Sequence, residues 1–194
     1  MYPTKLKDLK IILASQSPRR QQLLKGIGID FKVLIMNDIP EVFPDNLRAE
    51  QIALYLAELK AIACENHIDK NNLLITADTI VLINDKVLGK PAGRKEAIEM
   101  LTLLSGNKHE VITAVCIWSA LKKISFYDIS EVWFRKLSPE EIEYYVTHYE
   151  PFDKAGAYGV QEWIGYVGIE RVEGSYFNVM GLPIHRVYEE LIKF

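Results

Sequence analysis

Two arginines stand side by side in Leu13-Ala14-Ser15-Gln16-Ser17-Pro18-Arg19-Arg20, directly after a short apolar run. The order reads as a strand end, a turn of small residues and a helix start, with Ser17 able to cap backbone donors and Pro18 suited to the first helical position. Backbone N–H groups at a helix start attract anions, and a guanidinium adds planar, bidentate donors for phosphate oxygens. The same dipole disfavours cations, so two arginines there suggest a bound anion that offsets the cost. A solvated basic helix face is the plainer alternative. The segment is not a phosphate loop, because no Gly-rich stretch ends in Gly-Lys-Ser/Thr.

The second group of interest is Ala77-Asp78-Thr79, following the apolar residues 73–76. A carboxylate at the end of a buried strand faces the crevice where α/β sheets bind ligands, and it suits Mg²⁺ or a water aimed at phosphorus. An Asx turn is the alternative. Glu41, between Pro40 and Pro44, is a second acid whose case rests on the wider pattern. Lys60, next to apolar Leu59, and Lys90, in Leu88-Gly89-Lys90-Pro91, have the reach of point charges for a triphosphate. Gly156 and Gly159 in Lys154-Ala155-Gly156-Ala157-Tyr158-Gly159-Val160-Gln161 permit close backbone approach, and Gln161 offers a donor and an acceptor suited to a nucleobase edge. A strand bend with two structural glycines is the bland reading of that stretch. His67, His109, His148 and His185 form no metal or nucleophile pattern and read as surface or capping residues. Ser15 and Ser17 show no base partner, which argues against a serine hydrolase.

The elements that must position these residues alternate. Residues 10–14 and 31–36 read as strands, 47–64 as a helix with Ile52, Tyr55, Leu56, Leu59 and Ala63 on one face, and 73–76 as a buried strand. Residues 80–87 read as a hairpin turning at Asn84-Asp85. Residues 94–105 are helical with Gly106 as a stop, and 110–119 and 123–134 are long strands. Ser138 and Glu141 have capping-box spacing, residues 173–183 are turn-rich, and Ile184, Val187, Tyr188, Leu191 and Ile192 make a last helical stripe. The class is mixed α/β.

The chain has 194 residues, 49% of them hydrophobic, which fits one domain or two small lobes around a cleft. Lys+Arg 23 against Asp+Glu 26 leaves a charge of −3, which argues against a general nucleic-acid binder while allowing a local anion site. Cys64 and Cys116 lie in no ligand pattern and read as buried apolar residues. No apolar stretch has the length of a signal core or a membrane span, so the expected place is the cytoplasm.

Taken in order, these segments resemble the Maf family of nucleoside triphosphate pyrophosphatases. The resemblance runs through Leu13 to Arg20, Ala57-Glu58-Leu59-Lys60-Ala61, Ala77-Asp78-Thr79, Leu88-Gly89-Lys90-Pro91, Leu104-Ser105-Gly106, Val111-Ile112-Thr113-Ala114, Glu150-Pro151 to Gln161, and Gly174 to Pro183. It implies a single Maf-like domain over residues 1–194, with a twisted mixed sheet in two lobes and a central nucleotide cleft, as in inosine triphosphatases. It implies hydrolysis of dTTP and UTP to the monophosphate and pyrophosphate with Mg²⁺ or Mn²⁺, and a homodimer without membrane or nucleic-acid partners. By the same resemblance Asp78 is catalytic and Glu41 and Asp78 hold the metal. Ser15, Arg19, Arg20, Lys60 and Lys90 bind substrate, while Arg20, Thr79 and Gln161 set specificity. Ile39-Pro40-Glu41 stands where many members carry Val-Asp-Glu. A nucleotide-binding regulator of cell division with little turnover is the competing expectation.

Overall fold

The computed structural model describes residues 10–36, 39, 40 and 42–194. The strands are β1 (Lys10–Leu13), β2 (Phe31–Val33), β3 (Asn72–Ile83), β4 (Lys86–Leu88), β5 (Lys108–Trp118), β6 (Lys123–Phe134) and β7 (Ile169–Glu173). The helices are α1 (Pro18–Gly26), α2 (Ala49–Ile62), α3 (Arg94–Leu104), α4 (Pro139–Tyr149), α5 (Trp163–Gly168), α6 (Tyr176–Val179) and α7 (Ile184–Leu191). They form the mixed α/β class that the alternating patterns predict. The strands pair in the order β2-β1-β3-β5-β6-β7, with β4 added to β3. β1 is parallel to both β2 and β3, and β3–β4 and β6–β7 are antiparallel.

The chain divides into two compact units. The first holds the described residues through Asp78, residues 113–128 and residues 181–194. Its core includes Leu13, Leu24, Leu56, Leu73, Leu74, Ile75, Ile117 and Leu191, with Cys64 and Cys116 in one apolar cluster with Ala14, Ala61 and Leu74. Burial pushes both thiols above their ordinary range, so each stays a neutral apolar filler. The second unit holds residues 79–112 and 129–180, where α3 packs on α4 and buries Ala97, Met100, Leu101 and Leu104. α4 starts on the expected capping box, where Ser138 Oγ accepts from the Glu141 N–H and Glu141 accepts from the Ser138 N–H. Arg135 beside Glu141, with that Ser138 N–H, holds the carboxyl down at about 2.

Three details depart from the sequence reading. β3 does not stop at Thr76 but runs through Asp78 to Ile83, so Asp78 stands within a strand and the Asx turn falls away. Ser17 caps no donor with its side chain; its own N–H is accepted by Ser15 Oγ at 3.3 Å. His109 is no surface residue, being 1% exposed. Its position on β5 is in phase with buried Val111 and Thr113, and the strand's twofold alternation carries it inward. Among the described residues, no helix is long and apolar enough to cross a membrane.

Candidate active site

β3 changes neighbours along its length, and Asp78 lies at the change. Its early residues pair with β1 at Asn72 to Ile75, and its last with β4 at Val81 to Ile83. A change of strand neighbours is the kind of place where open α/β sheets admit a ligand. β1 hands the chain to α1 through Ala14, whose N–H is accepted by the Ile75 carbonyl at 2.9 Å. The start of α1 is thereby fixed beside the middle of β3.

Arg20 secures that arrangement. Its Nε donates to the Gly181 carbonyl at 2.7 Å and its Nη1 to the Ala77 carbonyl at 2.7 Å, with Ser15 Oγ at 3.4 Å. One guanidinium therefore ties the start of α1, the residue before Asp78 and the approach to α7. The planar fork makes this possible, since it offers donors in several fixed directions. Ser15 is 4% exposed and turns its hydroxyl to both Arg20 and the Ser17 N–H.

Asp78 is 5% exposed, and its Oδ1 accepts from Lys60 Nζ of α2 in an ion pair. The α2 register that brings Lys60 inward comes from Ile52, Ala53, Leu56, Ala57 and Ala61, which bury the same side of the helix. Thr76 adds a lock, its hydroxyl donating to the Ala57 carbonyl at 2.7 Å. Ser15, Arg20, Lys60 and Asp78 are thus brought together within the first unit. Arg19 is half-buried in the first turn of α1. Glu41 lies outside the described residues. Among the described residues no three His, Cys, Asp or Glu side chains cluster as metal ligands.

Thr79, Lys90 and Gln161 belong to the second unit. Thr79 follows Asp78 on β3 and is half-buried, and Lys90 is exposed in the turn after β4. The segment bearing Gln161 is no bent strand. It makes two short 3₁₀ turns, Pro151–Asp153 and Ala155–Ala157, and then a loop into α5. Gly156 has φ 67° and Ala157 φ 57°, and the Gly156 N–H donates to the Gly89 carbonyl at 3.0 Å, next to Lys90. A Cβ on Gly156 would stand 3.0 Å from Val81 Cγ2, so both its φ and its packing require glycine. Gln161 Oε1 is buried and accepts no hydrogen bond among the described residues.

Sequence reasoning passed over the groups that brace this segment. Lys154, 7% exposed, pairs with Asp153 at 2.6 Å and Glu162 at 3.1 Å, and Glu162 also accepts from Tyr145 Oη. The available signal was Tyr145 on the apolar stripe of α4 with Ile142 and Val146, where a buried phenol needs a polar partner.

A family model described as Maf-like protein matches residues 10–194. A dTTP/UTP pyrophosphatase of Bacteroides fragilis is 54% identical over 182 residues, covering 94% of this chain and 94% of its own. A protein of the same name from Parabacteroides distasonis is 52% identical over 189 residues, covering 97% and 98%. Among solved structures, a HAM1 protein from Coxiella burnetii shares the fold, with a TM-score of 0.50 at 14% identity over 96% of this chain and 100% of that one. An acid on β3 paired with a lysine of α2, an arginine bridging α1 to that strand, and relatives more than half identical over nearly their whole length agree: the chain belongs to the Maf-like protein family.

Proposed function

We propose that this protein is a nucleoside triphosphate pyrophosphatase that hydrolyses dTTP and UTP to the monophosphate and pyrophosphate. The observation that carries the reading is the buried Asp78–Lys60 pair beside the α1 start, in a chain whose relatives are named for that reaction. Asp78 orients a water and takes its proton. The water oxygen bonds to the α-phosphorus, the bond from that phosphorus to the oxygen bridging to the β-phosphate breaks, and pyrophosphate leaves with the electron pair. Charge gathers on the departing phosphates, and positioned cations are the main requirement of such a reaction. Arg19, Lys60 and Lys90, with Ser15 and the α1 N–H groups, neutralise it.

Asp78 offers a hard oxygen donor suited to Mg²⁺ or Mn²⁺, and Mg²⁺ sites on phosphate substrates commonly use one or two carboxylates plus phosphate oxygens. Asp78 therefore fits a metal that arrives with the triphosphate, with Glu41 as the second acid. When bound, the metal supplies charge neutralisation on the phosphates. Arg20 acts on specificity by holding the Ala77 and Gly181 carbonyls in place, beside Thr79 in the chain. Gln161 contributes an amide whose acceptor and donor match the N3–H and O4 edge of a 4-keto pyrimidine. The substrates are cytoplasmic, and so is the place of action proposed here.

Pyrophosphate release from dTTP, UTP, CTP, GTP and 7-methyl-GTP, with Mg²⁺, Mn²⁺ or EDTA, tests the proposal. Metal-dependent release that favours dTTP and UTP is expected. Binding without release would sink the enzyme reading, and preference for another base would sink the roles of Arg20, Thr79 and Gln161.

A further inference from the structure

Three side chains on one face of β3 meet the α2 region in succession. Residues 74, 76 and 78 share that face by the strand's twofold period. Leu74 packs in a cluster with Ala61 and Cys64, the Thr76 hydroxyl donates to the Ala57 carbonyl at 2.7 Å, and Asp78 pairs with Lys60. Along the strand the contacts thus pass from the C-terminal end of α2 back toward Ala57. That direction accounts for Lys60. A helical side chain leans toward the N-terminus of its helix, so Lys60 reaches back past the Ala57 turn to the place where Asp78 stands. Its side chain is 12% exposed and that of Asp78 is 6%.

This reach depends on where α2 lies along its own axis. The helix buries Ala53, Ala57 and Ala61 completely, at a spacing of four, beside Ile52 and Leu56. Methyl groups permit a close approach and interlock weakly, so the alanines set how near α2 lies and do little to stop it sliding. A slide of about 1.5 Å, the rise of one residue, exceeds the margin between a hydrogen bond and none. The Thr76 hydroxyl supplies a directional contact at this seam, fully buried and one turn from Lys60. Ala57 has no need of it for its own sake: its carbonyl lies inside α2, where the N–H four residues on takes one lone pair. Nor does packing call for it, since valine has the same shape and no donor to satisfy.

We propose that Thr76 is a positioning residue for the Asp78–Lys60 pair: its bond to the Ala57 carbonyl sets the axial register of α2 on β3, and with it the place of the Lys60 ammonium beside the acid. The inference rests on the reading of Asp78 and Lys60 as catalytic groups.

The test measures kcat and KM for dTTP and the urea denaturation midpoint in the wild type, Thr76→Val, Thr76→Ser and Thr76→Ala. Thr76→Val keeps the volume and loses the donor. Its kcat falls about tenfold with KM little changed, because the charge that Lys60 meets grows in the transition state. Thr76→Ser keeps the donor and loses a buried methyl group, so it unfolds more readily than the wild type yet retains most of kcat. A threonine needed only for packing would instead give the lower kcat to the less stable variant. Thr76→Ala and Thr76→Ser differ by the one oxygen and carry the same comparison should Thr76→Val fail to fold. In Lys60→Met, adding Thr76→Val lowers the residual kcat no further, as two groups acting through one another require. A wild-type kcat in Thr76→Val overturns the proposal. So does a kcat in Thr76→Ser as low as in Thr76→Ala, or a tenfold fall that persists in Lys60→Met. A wild type that releases no pyrophosphate is a different pattern, which overturns the reading of Asp78 and Lys60 and this inference with it.

Discussion

At the scale of single residues, the Asp78–Lys60 pair joins two demands that pull apart. A buried carboxylate is costly without a partner, yet in the proposed mechanism Asp78 must also hold a water. Lys60 meets the first demand through Oδ1, from a helix whose apolar stripe fixes its register. Asp78→Asn is expected to lower pyrophosphate release by about 10²–10⁴-fold. It also costs about 3 kcal/mol in urea denaturation, because the lysine loses its counter-charge. Adding Lys60→Met returns much of that stability and none of the turnover, and a double variant as unstable as Asp78→Asn alone would show that the pair is not what holds these elements. Arg20 makes a related point. Its fork spans the carbonyls of Ala77 and Gly181, which one ammonium cannot match. Arg20→Lys should therefore lose about 1–3 kcal/mol as well as activity; an unchanged denaturation midpoint would confine Arg20 to substrate contact.

At the scale of elements, the segment through residues 154–162 is held by backbone shape as much as by side chains. Gly156 adopts φ 67° against Val81, and its N–H reaches the Gly89 carbonyl beside Lys90. Gly156→Ala meets two costs at once: a left-handed backbone at a residue with Cβ, and a methyl group pressed on Val81. The expected loss is about 2–3 kcal/mol together with a raised KM for the triphosphate, as Lys90 shifts with its turn. Val81→Ala in the same chain relieves the steric part only, so the double variant should recover partway toward Val81→Ala alone. Full recovery would show that φ carries no cost. α4 supplies a milder check on the same unit: Ser138→Ala removes its cap and should lower stability by about 1 kcal/mol with base preference retained.

At the scale of the whole molecule, what the sequence made legible follows from what each pattern needs. The long elements were readable because their periodicity is local: the Asn84-Asp85 hairpin at φ 49° and 60° and the α4 capping box stand as expected, and both α2 and α7 are helices. Their stripes differ in part, since α2 buries Ala53, Ala57 and Ala61 with Ile52 and Leu56 and leaves Tyr55 and Ala63 exposed, and α7 leaves Ile192 exposed. β3 was cut short at Thr76 because Asp78 interrupts its apolar run, and its ion pair with Lys60, eighteen positions away, helps make a charge tolerable there. α5, β7 and α6 were missed because they are brief and are fixed by distant partners, such as Arg135 Nε on the Val167 carbonyl at 2.5 Å and Asn178 Nδ2 on Ser130 Oγ at 3.0 Å. His109 was misread for a similar reason, and its true setting bears on the acid side of stability. Its Nε2 meets Tyr158 Oη at 2.8 Å, and its ring lies edge-on to Phe134 and Tyr158. Its Nδ1 is buried with no partner among the described residues. Burial lowers its pKa from 6.5 to about 4. The unfolded chain therefore binds a proton that the folded one refuses between those values, and stability falls as pH drops from 6.5 toward 4. The full effect is of the order of 3 kcal/mol, at about 1.4 kcal/mol for each pKa unit. Urea denaturation at pH 7, 6, 5 and 4 should show that decline in the wild type, and a shallower one in His109→Gln, whose amide can still meet Tyr158 and cannot take the proton. Parallel declines in the two proteins would move the acid sensitivity of the fold away from His109.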